Sequence, residues 1–264
     1  MRREKTMKER NASQSLDFVC KIASIVIFLV VWQVLVMANV QKPLMFGNLP
    51  TPVRVFEAFG ALLKQKEFYY HVGFSCLRIL IGCGLALPLG VVFGMLIGLT
   101  RFGKDFLLPV FDILRPIPQI TWIPISILLF TTIEGSIIFI TFIGAFFPIL
   151  VNTIAGTKTV SQTLLDAAAS MHATRAQTIR YVYFPSAVPN IFTGLSVGIG
   201  TSWMSVIAAE MISGKYGIGY FTWMSYNLMN YADTIVGMIT IGLVGILCFT
   251  LIRKLENVVL AYRK

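Results

Sequence analysis

"ILIGCGLALPLGVVFGMLIGLT", residues 79–100, runs for 22 positions without a charged side chain. A helix needs about 20 mostly apolar residues to cross the hydrocarbon core of a bilayer, so this stretch marks a membrane span. Further uncharged runs occupy residues 22–38, 116–133, 135–157, 181–209 and 234–252. Strands of a membrane β-barrel alternate apolar and polar residues over about 10 positions, whereas these runs are apolar throughout. The expected fold class is therefore all-α: a polytopic membrane protein with about six transmembrane helices. Composition agrees, with 56% hydrophobic and 13% charged residues and a mean hydropathy of +0.77; a soluble domain carries about 25% charged residues.

The net charge of +10 reports orientation rather than nucleic-acid binding, because Lys and Arg gather in the cytoplasmic loops of membrane proteins. The N-terminal stretch holds Arg2, Arg3, Lys5, Lys8 and Arg10; Arg101 and Lys104 follow the second run; Lys158, Arg175 and Arg180 precede the fifth; Arg253, Lys254, Arg263 and Lys264 close the chain. Six crossings from a cytoplasmic start place all of these inside. Lys42, Arg54, Lys64 and Lys66 then fall outside, Arg54 and Lys64 on "TPVRVFEAFGALLKQ", an amphipathic stretch expected to lie along the outer interface. Both termini are expected in the cytoplasm, with residues 1–17 a basic tail and 18–264 the transmembrane domain. The first run lacks a convincing cleavage site and is expected to stay as an anchor.

Inside the spans, Gly90, Gly94 and Gly98 share one helical face, which predicts close packing on a neighbouring helix; Gly194 and Gly198 repeat the device. In "RPIPQITWIP" the prolines Pro116, Pro118 and Pro124 predict a broken helix. Irregular backbone at membrane depth is tolerated where it is buried in protein or lines a watery cavity. That segment is thus either a pathway wall or a kink used for packing. Glu210 ends a long uncharged run, set either in a functional cavity or held structurally by backbone and hydroxyl donors. Beyond it, "GKYGIGYFTWMSYNLMNY" reads as a re-entrant or interfacial segment before the last span. Glu134 and Asp233 read as loop charges. Polarity near irregular backbone marks Gln119, Trp122, Trp203, Ser205 and Glu210 as candidate translocation-pathway residues.

No catalytic or metal-binding constellation is expected. His71 and His172 have no Cys or paired acid beside them, the four cysteines form no disulfide framework, and no phosphate loop with a Gly-Lys-Ser/Thr ending occurs. Energy for any transport must come from elsewhere. A self-powered secondary transporter predicts ion-coupling acids in mid-span, and these spans offer almost none; a membrane-embedded enzyme lacks its paired polar groups.

Between the fourth and fifth runs stands "DAAASMHATRAQTIRYVYFP", residues 166–185. Ala167 to Ala169 are strong helix formers, and Thr163 with Asp166 and Thr174 with Gln177 resemble N-terminal caps. Two short helices joined near "MHAT" are expected, with Pro185 stopping the second and starting the next span. On these grounds the segment is either an amphipathic linker on the membrane surface or a docking element for a cytoplasmic protein.

This stretch resembles the EAA loop of permease subunits of binding-protein-dependent ABC importers. Asp166, Ala167 and Ala168 match the opening triplet, with Asp for Glu; Ala173 matches the alanine of the Gly-Ala pair and Pro185 the closing proline. His172 replaces the usual glycine and Phe184 the usual leucine. "RPIPQITWIP", "FFPILVNTIAG" and "WMSVIAAEM" followed by "GIG" are similar to stretches of the nitrate, sulfonate and taurine group.

The resemblance implies a non-catalytic transport subunit that pairs with a second copy. Two cytoplasmic ATPase subunits would bind the ATP and Mg, so no cofactor is expected in this chain, and an extracytoplasmic binding protein would deliver the solute. It implies a cytoplasmic membrane of a bacterium or archaeon, and a coupling loop over about residues 158–185 in which Asp166, Ala167, Ala168, His172, Ala173 and Pro185 dock on the ATPase. The solute implied is a sulfonate such as taurine, nitrate or bicarbonate; importers of vitamin or pyrimidine precursors are the alternative.

Overall fold

The computed structural model describes residues 2–39 and 46–259, with side chains from Val19 onward. Lys42, Arg263 and Lys264, part of the charge pattern above, lie outside the described residues. No strand occurs among the described residues. The helices are α1 (Arg2–Met37), α2 (Pro52–Leu62), α3 (Lys66–Leu99), α4 (Leu108–Leu114), α5 (Ile123–Leu129), α6 (Ile133–Lys158), α7 (Gln162–Ser170), α8 (Arg175–Thr178), α9 (Phe184–Ser213), α10 (Ile218–Asn227) and α11 (Tyr231–Val259). Five helical runs are long and apolar enough to cross a membrane: Val19–Met37 within α1, α3, α6, the continuous run Arg175–Ser213, and α11.

The centre is α6, packed between α3 and α9. The glycine face of α3 meets α6 in a constant register. A β-carbon added at Gly90 would reach Ile149, one at Gly94 would reach Thr153, and one at Gly98 would reach Thr157. Each pair is offset by the same number of residues, so the two helices run parallel. Small residues permit this approach, and dispersion between the closely packed backbones holds it. On α9 the order reverses: Gly194 lies against Ile149 and Gly198 against Ala145, while Gly156 of α6 lies against Ala187. These two helices are therefore antiparallel.

This packing sorts the loops. The C-terminal ends of α3 and α6 and the start of α9 share one end of the bundle; the starts of α3 and α6 and the end of α9 share the other. Residues 100–132 must pass between the two ends. They do so as the broken run that the prolines predict: a π-turn (Gly103–Leu107), α4, a 3₁₀ turn (Gln119–Trp122) and α5. The helix α11 starts beside α2, with Val236 packed among Val55, Leu62 and Phe68, and ends with Val259 beside Phe184 at the opposite pole. Val55 and Leu62 give α2 its buried face, and Thr51 caps it through the Arg54 amide at 3.4 Å.

Candidate functional site

At the end of the bundle where α3 and α6 finish, the chain makes a two-helix corner. The first helix, α7, opens at Ser161 and not at the expected Thr163; Gln162 Nε2 instead donates to Asp166 Oδ1 at 2.9 Å. Its C-terminus is closed by two bonds, from the Ala173 amide to Ala168 O at 3.0 Å and from the His172 amide to Ala169 O at 2.9 Å. This pair of bonds defines a Schellman closure, which needs a left-handed residue at the corner. His172 supplies it, with φ of 53°. The bend usually made by glycine is made here by histidine. The second helix starts on the expected capping box: Thr174 Oγ1 accepts from the Gln177 amide at 3.3 Å, and Gln177 Oε1 accepts from the Thr174 amide at 2.7 Å. Arg175 Nη2 donates to Leu99 O at 3.4 Å, which ties this helix to the end of α3.

Pro185 does not stop the helix. The run is continuous from Arg175 to Ser213, because a π-turn over Ile179–Tyr183 precedes Pro185, with the Phe184 amide donating to Ile179 O. A proline ring inside a helix clashes with the carbonyl of the residue four positions earlier, and a widened turn removes that clash without ending the rod. Asp166 and Ala167 are exposed and Ala168 and Ala173 half-buried. Pro185, Ser186 and Asn190 line a cavity of about 480 Å³ with Thr159, Ser161 and Leu164.

The corner yields a direct prediction. For His, a left-handed φ costs roughly 1–2 kcal/mol, so His172→Gly is expected to slow hydrogen exchange at the Ala173 amide, and His172→Val to speed it. Equal exchange in the two variants would count against the corner geometry.

At the opposite end lies a buried charge cluster. The Arg78 side chain is 1% exposed and the Glu210 side chain 0%. Nη1 of Arg78 donates to Glu210 Oε1 at 2.7 Å and to Tyr216 O at 2.7 Å. Its other edge makes a two-pronged pair with Glu134: Nε to Oε2 at 2.8 Å and Nη2 to Oε1 at 2.6 Å. Glu210 also accepts from Ser75 Oγ at 2.8 Å and from the Gly219 amide at 2.9 Å. Ser75 Oγ in turn accepts from the Ile218 amide, and His71 Nδ1 from the Gly217 amide. Gly217 has φ of 122°, and a β-carbon there would collide with the Glu210 carboxyl. The glycines of "GKYGIG" therefore let the backbone wrap around the acid.

Glu134 is thus not a loop charge: it stands in the first turn of α6 as a partner of Arg78. Asp233 likewise belongs to a helix start, accepting from Asn230 Nδ2 at 2.7 Å in the first turn of α11. Arg78 escapes the sequence reading because the apolar run is counted from Ile79, one residue beyond it. An arginine three turns inside a 34-residue helix, well past the charges of its first turn, is the signal that finds it.

The candidate pathway residues do not converge. Trp203 Nε1 donates to Ile241 O of α11 at 2.8 Å. Ser205 is turned to Gly144 of α6 and donates to Thr201 O. Glu210 faces α3 and the start of α10. Gln119 and Trp122 lie on the 3₁₀ turn, half-buried, and the Trp122 indole nitrogen is buried without a hydrogen-bond partner.

The family of binding-protein-dependent transport system inner membrane components matches residues 86–259, more than half of the chain. The chain belongs to this family. Along its length this permease is 36% identical to a nitrate import permease protein of Synechocystis sp., over 89% of this chain and 87% of that one. It is 33% identical to a bicarbonate transport system permease protein of Synechococcus elongatus (94% and 91%) and 28% identical to the taurine transport system permease protein of Escherichia coli (89% and 86%). These relatives and the apolar helices make the chain a multi-pass inner-membrane permease of the ABC importer type.

Proposed function

We propose that this permease forms, with a second copy of itself, the alternating-access pathway of an importer for small oxyanions: nitrate, bicarbonate, or a sulfonate such as taurine. ATP is hydrolysed in two separate cytoplasmic subunits, which hold the nucleotide and Mg, and a solute-binding protein outside delivers the anion. The chain itself is a non-catalytic transport subunit crossing six times, the broken run of residues 100–132 being the third crossing. Both termini are cytoplasmic, and α10 is the re-entrant or interfacial segment before the last crossing.

The observation that carries this reading is the hydrogen-bonded corner at residues 161–183, set at the end of the bundle where Arg101, Lys104, Lys158, Arg253 and Lys254 gather. Positive charge of that kind marks the cytoplasmic face. Asp166, Ala167, Ala168, His172, Ala173 and Pro185 form the coupling element within residues 158–185, and α7 docks on the ATPase. Because α8 continues through the π-turn into α9, a push on the corner is delivered to the whole fifth crossing. Only a partner that binds the two conformations differently can drive the switch. Gln119, Trp122, Trp203 and Ser205 are proposed to meet the pathway in one or other state, while the donors around Glu210 support a structural role for that acid.

Ala168→Arg tests the proposal. A bulky charge on the docking face of α7 is expected to leave the protein folded in the membrane and to abolish copurification with the ATPase subunit. Undiminished copurification and uptake would remove the coupling assignment.

A further inference from the structure

Arg78 divides its guanidinium between two carboxylates held in different ways. Glu210 is fully buried and fixed by Ser75, the Gly219 amide and Arg78. Glu134 is 49% exposed and is bonded, among the described residues, through Arg78. The Phe74 ring covers one face of the guanidinium, 5.6 Å from its centre, and stacks on Tyr216. The edge formed by Nε and Nη2 faces the half-exposed Glu134 carboxylate, which stands across it.

We propose that this edge of Arg78 is an oxyanion-binding site and that Glu134 is its exchangeable stopper. The planar fork of an arginine fits two oxygens of one planar or tetrahedral group. Nitrate, bicarbonate and sulfonate all present such a pair, and the Glu134 carboxylate occupies their place. The exchange balances charge: Arg78 and Glu210 form a fixed neutral pair, and an incoming anion replaces one negative charge by another. It also leaves no donor stranded, since a buried fork deprived of Glu134 needs another acceptor. Glu134 has somewhere to go, because it is half-exposed in the first turn of α6, two residues beyond the irregular residues 130–132. The site lies at the end of the bundle opposite the corner of α7 and α8, which is the end at which the proposed importer receives its solute.

This inference rests on the reading of the chain as an oxyanion permease, and the test keeps the two apart. The full chain is purified in a non-ionic, phosphate-free detergent, and its unfolding temperature is followed against added nitrate, bicarbonate or methanesulfonate, with chloride holding ionic strength constant. Glu134→Gln keeps one neutral hydrogen bond to Arg78 but removes the competing charge. Half-maximal stabilisation is then expected at roughly tenfold lower anion concentration than in the unmodified chain, as when a binding-competent state is freed from a closed one. Glu134→Ala shifts the same way, and Arg78→Lys, which presents a point charge in place of a fork, loses the response. Added phosphatidylglycerol that competes with nitrate makes the natural occupant a lipid headgroup bound by the same fork, which overturns its assignment to the solute. Identical anion dependence in the unmodified chain, Glu134→Gln and Glu134→Ala overturns the site. Copurification of the unmodified chain with an ATPase is scored separately: its failure removes the importer reading, whereas an importing complex with an unshifted Glu134→Gln removes this inference alone.

Discussion

Arg78→Met is expected to lower the stability of the folded chain by about 3–5 kcal/mol, the usual cost of stripping one partner from a buried ion pair. The loss comes from what stays behind. Glu210, with 0% side-chain exposure, keeps its bonds from Ser75 and Gly219 but loses its counter-charge, and Tyr216 O loses its donor. Glu134 suffers little, since it can turn to water. The double replacement of Arg78 and Glu210 by Met removes both charges together and is expected to recover most of the loss, because a buried pair exchanged for apolar side chains of similar volume is often nearly neutral. The measurement is thermal or denaturant unfolding of the four proteins of the cycle in detergent, with the coupling energy read as the departure from additivity. An Arg78→Met variant no less stable than the double variant would show that Glu210 does not depend on Arg78.

The same cluster shows where sequence reasoning ends. Apolar runs are legible because bilayer thickness sets their length, and the register of Gly90, Gly94 and Gly98 is legible because helical periodicity places them on one face. Both are local properties. A span recognised by its lack of charge excludes its own buried charges, so Arg78 is lost at a boundary. Glu134 is separated from it by a broken helix, and only the parallel packing of α3 on α6 brings them together. The corner near "MHAT" was legible, because the capping chemistry of Thr174 and Gln177 is written within four positions. The π-turn before Pro185 was not, since a proline signals a disturbance without saying whether the helix ends or widens. The pathway residues were chosen by polarity, and polarity does not record direction: Trp203 and Ser205 sit on one helix yet face different neighbours.

A large packing effect is expected at Gly94. A β-carbon there would lie 2.5 Å from Thr153 Cβ and 3.0 Å from Leu150 O. Thr153 cannot rotate away cheaply, because its hydroxyl donates to Ile149 O at 2.7 Å and the side chain is buried. The carbonyl oxygen belongs to the α6 backbone and moves only if the helix moves. Gly94→Ala therefore has to separate α3 from α6, at a cost of roughly 1–3 kcal/mol for overpacking, and Gly94→Leu is expected to exceed that range. Gly84, on the same helix, has nothing within 4 Å of the equivalent position. Gly84→Ala is expected to be neutral or to stabilise by up to about 1 kcal/mol, from the gain in helix propensity and the smaller entropy of the unfolded chain. The contrast between two identical substitutions on one helix separates packing from propensity, and unfolding in detergent reads both. Since α3 carries Arg78 in its first half and receives Arg175 at its C-terminal end, a chain spread at Gly94 is also expected to lose its uptake before its fold. Equal stability of Gly84→Ala and Gly94→Ala would mean that α3 and α6 do not approach as closely as their glycine register requires.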